Sequence, residues 1–510
     1  MNCFKLNTLF KIAASIATAL LLAACKPDQN NPTAATSPVA ADAEILITHI
    51  TTIDAASGLQ PDTTVALRGN QIIQVAPSSV LTGTAGFTTI DGSGKYLIPG
   101  LWDAHIHLTF TPELTDSMFR LLIGNGVTSI RDTGGKLDLV LAQKRRAIEQ
   151  LAEGTAPTVF VAGPLIDGAP GVYIGDAPGY PEIGTVVTSE AEVRAAVDDL
   201  VAQGVDLLKA YEMLDPAIFT ALIDQAKKHG KPITGHVPLS MTVAEASNAG
   251  LDSMEHTRNM EMGCSSEEDE LYRQRQQMLT EGHDKKGSVL RSDIHNAQHY
   301  QGFSTYDAER CQQLLALLAK NSTWQIPTLA LMEAASKPFF IEDEWIATYQ
   351  ALPEPMGTNW AKASKELRAN FAAPAPERLK RAEIADWKAQ LIPMMKAAGI
   401  PIMAGTDAPI FFLTPGYSLH LELKTLVDAG LTPMDALAAA TSRPAEYFGL
   451  EQSQGFIAPG MLADLVILNA NPLDDIRNTQ AIEMVIKNGI VLDRAELDAM
   501  LTPAAPASVE

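Results

Sequence analysis

The chain has 510 residues, 46% of them hydrophobic and 19% charged, with a formal net charge of −22. That length exceeds one simple core and asks for two domains, or a large barrel with an accessory. The acidic balance excludes a nucleic-acid partner, which needs clustered Lys and Arg against phosphate, and fits solubility in an exposed compartment.

At the N-terminus, Lys5 and Lys11 precede an apolar run over residues 12–24. The run is too short to span a bilayer as an ordinary helix and has the layout of a secretory signal. It ends Leu22-Ala23-Ala24-Cys25, which resembles the lipobox of bacterial lipoproteins. The resemblance implies a signal peptide over residues 1–24, lipidation of Cys25 and an exported protein that meets the membrane only through its lipid. Lys26, where an aspartate would signal retention, points to the outer membrane and the periplasm. A plain signal peptide cut nearby is the alternative. Cys264 and Cys311 are then the cysteines left to pair, and export permits one bridge without requiring it. Residues 25–42 are polar, Pro-rich and aperiodic, as in a flexible tether.

Residues 43–98 alternate short strand-like runs with turn signals such as Arg68-Gly69-Asn70, and the same texture returns over 449–497. Two strand-rich ends around a long middle predict one small β-sandwich domain built from both termini. In between, residues 99–448 repeat strand and helix. Strand-like runs at 96–107, 126–131, 157–162, 205–211, 232–237, 251–256, 324–331 and 400–406, with helical patterns such as 190–203 and 216–229, predict a (β/α)8 TIM barrel. Two stretches break the rhythm. An insert at 257–323 leaves directly after the sixth strand, at the end where such barrels put their chemistry, and is predicted to cover the site. Its His283, His295 and His299 read as surface residues. A second long segment, 337–387, carries Pro353, Pro355, Pro374 and Pro376.

Polar residues collect at the C-terminal ends of the predicted strands. The stretch P-G-L-W-D-A-H-I-H-L places His105 and His107 at i and i+2, so both imidazoles leave one face of a strand and can grip one divalent ion. His236, His256 and Asp407 end later strands. Lys209 stands in the otherwise apolar D-L-L-K-A-Y. A buried lysine pairs, loses its proton or reacts, and a neutral amine can capture carbon dioxide as a carbamate that would bridge two metals. A salt bridge to Asp407 or Glu212 is the alternative. Tyr211 shares the inward face of Lys209 and could reach a substrate carbonyl or carboxylate, or simply cap the strand. His420 opens a helix after the last strand, as a pocket residue or a core one. The Gly/Pro-rich loop 168–184 follows the third strand and points to the mouth of the site.

Together G-L-W-D-A-H-I-H-L, D-L-L-K, T-G-H-V, M-E-H-T and A-G-T-D-A, with the A-T-S-R-P-A and G-x-I-x-x-G-x-x-A-D-L-V stretches near the end, resemble the amidohydrolase superfamily. The likeness is to its branch of imidazolonepropionase-like, Xaa-Pro dipeptidase-like and ochratoxin-type proteins, over about residues 43–495. It implies two divalent ions, usually zinc, held by His105, His107 and Asp407 and by His236 and His256, with carboxylated Lys209 as the bridge. It also implies a metal-bridging hydroxide as nucleophile and Asp407 as the catalytic base, then acid. Dipeptidase-like relatives often carry a histidine in the loop matching 168–184, and this chain has none there.

The leading function is therefore hydrolysis of a C–N bond, in an N-acyl amino acid or a dipeptide, with a small molecule as partner. A lactonase or phosphotriesterase on the same site is one alternative, and a surface lipoprotein that only binds ligand is another. Self-association is left open.

Overall fold

The computed structural model describes residues 37–41, 43–83, 86–371 and 375–503. The signal segment, Cys25 and most of the tether lie outside the described residues. It has an α/β fold in which parallel sheets carry the middle of the chain. Strands Leu101–Ile106, Val127–Asp132 and Thr158–Val161 pair side by side in parallel. A second parallel sheet runs in the order Gly184–Val186, Leu165–Asp167, Leu208–Ala210, Ile233–Gly235, Ser253–Glu255, Trp324–Ile326. Leu101–Ile106 is buried at every position, as strands covered on both faces must be.

Several expectations need correction. The run 96–107 is two strands in two sheets, because the chain turns at Gly100 between Tyr96–Pro99 and Leu101–Ile106. The run 324–331 keeps strand only over Trp324–Ile326 and then enters the helix Leu329–Met332, begun by Thr328 in the left-handed region. Residues 400–406 form no continuous strand. Single parallel bridges join Ile402 to Gln325 and Ala408 to Ile106. The strand Leu165–Asp167, too short to show periodicity, had no place in the sequence pattern.

Helices start where side chains cap them. Ser189 accepts the Glu192 N–H ahead of Glu190–Gln203, and Asp215 accepts the Ala217 N–H ahead of Pro216–Lys228, with Pro216 at the first helical position. Thr242 and Glu245 form a capping box on Val243–Ala249. These caps fix where each helix leaves its strand, and so hold the loops that carry the site.

Strands from both ends of the chain join in one eight-stranded sheet. In it Leu465–Leu468 pairs antiparallel with Tyr96–Pro99 on one side and Ile482–Lys487 on the other. Ile47, Ile50, Val65, Leu97, Leu465 and Ile486 pack together as its core.

The insert consists of helices Met260–Gly263, Glu268–Glu281, Gly287–Ser304 and Ala308–Lys320. A disulfide between Cys264 and Cys311 ties its first helix to its last. No helix among the described residues is long and apolar enough to cross a membrane. Closing a loop of 47 residues restricts the unfolded chain, so Cys264→Ser with Cys311→Ser is expected to cost about 2–4 kcal/mol. Thermal unfolding should show it as a Tm lower by several degrees, with metal content retained.

Candidate metal centre

Strand ends bring the polar residues together. His105 and His107 follow one another at the end of Leu101–Ile106, and Lys209 is the middle residue of Leu208–Ala210. His236 and His256 come directly after Ile233–Gly235 and Ser253–Glu255. Asp407 reaches the same place because its N–H donates to the His105 carbonyl at 2.7 Å. Thr406 beside it is tied down by Asp103, which accepts its N–H at 3.0 Å and its hydroxyl at 2.6 Å. Gly405 permits this approach, since a Cβ there would lie 2.7 Å from the Cβ of His105. His256 and Asp407 both have φ in the left-handed region, 60° and 67°. Such backbone strain gathers where a site over-determines geometry.

Asp407 is the hub. Its Oδ1 lies 3.3 Å from His105 Nε2 and 3.2 Å from His107 Nε2, and its Oδ2 lies 3.8 Å from His256 Nε2. The donor atoms of His105, His256 and Asp407 lie within 4.8 Å of one another. The rings of His236 and His256 stand 4.9 Å apart. Burial pushes the Asp407 carboxyl up, but the surrounding imidazoles outweigh it and hold the group well below the usual carboxylate range.

Every one of these imidazoles is anchored through Nδ1. His105 donates to Glu255 at 2.5 Å, His107 to the Gly134 carbonyl at 2.8 Å, His236 to Glu212 at 2.5 Å and His256 to the Thr328 hydroxyl at 2.6 Å. A carbonyl and ionised carboxylates only accept, and the Thr328 hydroxyl gives its own proton to the Pro327 carbonyl at 2.8 Å, so the proton lies on Nδ1 and the Nε2 lone pair is left for a metal. Desolvation holds His236 and His256 well below the ordinary imidazole pKa, hence neutral and ready to ligate.

Lys209 is 1% exposed and its Nζ has no hydrogen-bond partner among the described residues. The carboxylate nearest to it is neither Asp407 nor Glu212 but Glu255, at 3.7 Å. Burial lowers its ammonium pKa to about 8 against the pull of Glu255. Glu255 also accepts from Arg131 at 2.9 Å and from the Thr234 hydroxyl. Burial pushes the Glu255 carboxyl up, and Lys209, Arg131 and His105 together hold it well below its usual value.

The cavity above these groups has a volume of about 170 Å³ and is lined by all six predicted ligands and by Tyr211. Tyr211 stacks 4.6 Å from His236, and burial keeps its hydroxyl protonated. Tyr173, from the 168–184 loop, lines the mouth as expected for that loop. His420 does not line it. Its ring nitrogens meet the Thr479 hydroxyl at 2.9 Å and the Asn125 carbonyl at 3.1 Å, so it serves as a core residue. His283 is exposed as expected, whereas His295 is buried and His299 half-buried. His295 Nε2 lies 2.5 Å from Glu212 and its Nδ1 lies 2.5 Å from His299. The insert also sends Arg258 and Arg291 into the cavity wall, with Arg291 3.0 Å from Glu212.

Glu255, Arg131, Glu212, Arg258 and Arg291 escaped the sequence reading as site residues. Glu255 in Ser253-Met254-Glu255 and Arg131 in V-T-S-I-R-D stand among polar neighbours, so the contrast with an apolar strand that singled out Lys209 is missing. Arg258 and Arg291 carry no such mark in a charged insert.

The sequence profile of the Amidohydrolase family matches residues 96–290 and 357–492, which contain all six residues. The chain belongs to the amidohydrolase family. Adenine deaminase of Deinococcus deserti is 44% identical over 69 residues, 13% of this chain and 11% of that protein. Imidazolonepropionase of Acidiphilium cryptum is 29% identical over 132 residues, 26% of this chain and 32% of that protein. The chain thus aligns with about a third or less of these relatives. A solved Xaa-Pro dipeptidase with methionine bound in its active site superposes with a TM-score of 0.61 at 20% identity, covering 88% of this chain and 99% of that one. At that identity the likeness establishes the fold.

The residues fit the divalent metals that this family generally uses. Four imidazoles anchored through Nδ1, of which burial holds His236 and His256 neutral, and a buried carboxylate are a donor set for such an ion, and the Lys209 Nζ, with no hydrogen-bond partner among the described residues, lines the same cavity. Glu255→Gln would leave Arg131 and Lys209 without their counter-charge. It is expected to destabilise the protein by about 3–5 kcal/mol and to weaken metal binding by about 10–100-fold. Thermal melts and metal titration check the two effects separately.

Proposed function

We propose that this amidohydrolase cleaves a C–N bond of an amide or peptide, on N-acyl amino acids or dipeptides. The observation that carries the reading is the buried Lys209 amine, with no hydrogen-bond partner among the described residues, in the cavity that His105, His107, His236, His256 and Asp407 also line. In this reading Lys209 is carboxylated by carbon dioxide and bridges two divalent ions, zinc by the nature of the donors. Bound there, the ions supply a water acidified toward neutral pH and a Lewis acid at the scissile carbonyl.

The chain's own groups do the rest. Asp407 Oδ takes the proton of the attacking water and returns it to the leaving nitrogen, so a C–O bond forms, the C–N bond breaks and an acid and an amine depart. Its depressed pKa keeps it ionised and able to accept. The protonated Tyr211 hydroxyl donates to a substrate carbonyl or carboxylate. Helix Gly287–Ser304, through Arg291 and His295, closes one wall against water.

In the same reading the parallel strands close into a (β/α)8 barrel over residues 99–448. The Ile402 and Ala408 bridges and the Asp206 N–H donating to the Val161 carbonyl at 2.9 Å support closure on either side. The terminal sheet, residues 43–98 with 449–497, is a β-sandwich. The protein is an outer-membrane lipoprotein anchored through Cys25, which lies outside the described residues. The Cys264–Cys311 bridge supports an exported protein.

A panel of dipeptides, N-acyl amino acids, lactones and a phosphotriester on zinc-loaded protein tests the bond. Turnover confined to lactones or the phosphotriester would overturn the C–N assignment. Asp407→Asn is expected to keep at least one metal and lose about 10²–10⁴-fold in kcat. Lys209→Ala should lose most of its metal, and short carboxylic acids should restore part of the activity. Full metal and full rate in that variant would remove the bridge from the account.

A further inference from the structure

A second and larger cavity, about 670 Å³, lies beside the metal centre. Arg258, Leu331 and Met332 line both, so the two cavities share a wall. Leu331 and Met332 belong to the helix Leu329–Met332, whose first N–H groups are held by the buried Glu422 at 2.9 and 2.8 Å. The partition therefore stands on a fixed backbone but ends in flexible side chains, and methionine adapts easily to what it touches.

The chemistry of this cavity runs against the rest of the molecule. The chain has a formal charge of −22, yet Arg258, Arg381 and Lys388 line the space, beside Arg378 and the carboxylate Glu377. Behind them, Glu212 stands 3.6 Å from Arg258 and Glu261 stands 3.5 Å from Lys388. Glu212 also serves Arg291, His236 and His295, so it does not neutralise Arg258 by itself. Arg258 Nε is buried without a hydrogen-bond partner, and the Lys388 side chain is 7% exposed. Beside the cations stand apolar groups, among them Phe371, Ile384 and Phe411, the last 48% exposed. A cationic, partly apolar recess this large, next to a reaction cavity of about 170 Å³, is built for a ligand part rather than for water.

We infer that the second cavity receives the part of the substrate remote from the scissile bond, and that this part pairs apolar surface with a carboxylate. The inference rests on the hydrolytic reading above and deepens it, since it makes the substrate an extended, anionic amide. Arg381 meets the carboxylate at the rim and Arg258 steers the chain toward the metals. Met332 moves aside as the connecting chain passes.

Amides sharing one scissile bond, with an alkyl chain of graded length ending in carboxylate, carboxamide or ammonium, provide the test. The zinc-loaded protein should prefer the carboxylate end over the carboxamide by about 10–100-fold in kcat/KM at the length that spans both cavities, the worth of a charged hydrogen bond. Arg381→Gln should shrink that ratio several-fold, mainly through KM, and Arg381→Glu should shift preference to the ammonium end. Equal kcat/KM for all three ends, or a ratio unchanged in both variants, would overturn the inference. Fluorescence titration with dansyl-tagged chains of the same three ends gives a second readout that needs no turnover. A carboxylate preference in Kd that Arg381→Glu reverses upholds the inference even where no amide is cut, and then only the hydrolytic reading fails. Equal Kd for the three ends would sink the second cavity as a subsite.

Discussion

The site depends on one buried carboxylate, Glu255. It is fully buried and faces three groups that carry or can carry positive charge, namely Arg131, Lys209 and His105. A single negative charge in a low-dielectric interior cannot offset two full cations, because each desolvated charge costs several kcal/mol. Arginine keeps its proton under any condition a protein meets, so the imbalance falls on lysine. Burial is the main cause of the lowered Lys209 pKa, with Arg131 adding to it and Glu255 opposing it, and a neutral amine is the form that can take up carbon dioxide. In the function proposed above, carbamylation would turn a surplus cation into an anion beside His236 and His256, which burial holds neutral, so in this account the lysine chemistry and the metals are one device.

Glu212 plays the corresponding part on the other side. It orients His236 through Nδ1 and at the same time fixes His295 and Arg291 of the insert. One carboxylate therefore couples a candidate metal ligand to the helix that walls the reaction cavity. The insert is tied by its own disulfide and joined to the site through this ion-pair cluster, so it is part of the pocket. Its wall can change in sequence without disturbing the strand ends that hold the ligands, which is how one set of metal-binding residues can serve different substrates.

Much of this was legible in the chain. The H-x-H pair, the lysine in an apolar strand and the strand-final histidines are patterns in which a polar group contradicts its apolar surroundings, and such contradictions survive without a structure. The pairing of both termini in one sheet also followed from their shared strand texture. What escaped was non-local. Whether Lys209 faces Glu255 or Asp407 depends on neighbouring strands far apart in sequence. His295 and His299 looked like surface residues because helix Gly287–Ser304 is polar on most faces, and its docking buries His295 against Glu212 and half-buries His299 beside Glu261. His420 read equally well as a pocket or a core residue until its partners Thr479 and Asn125 were placed around it. The break at Gly100 falls at the Pro99-Gly100 turn signal and beside the boundary read between 98 and 99, but the run 96–107 still reads as one barrel strand, because periodicity does not tell which sheet each side joins.

The claim at the centre of the account is that Lys209 is carboxylated and bridges two metals. Carbon-13 NMR of the zinc-loaded protein equilibrated with labelled bicarbonate, with zinc counted in the same sample, tests it most directly. The account predicts one carbamate carbon and about two zinc ions per chain, with the carbamate signal lost in Lys209→Met. Two bound zinc ions with no carbamate signal, or a carbamate that persists in Lys209→Met, would contradict it.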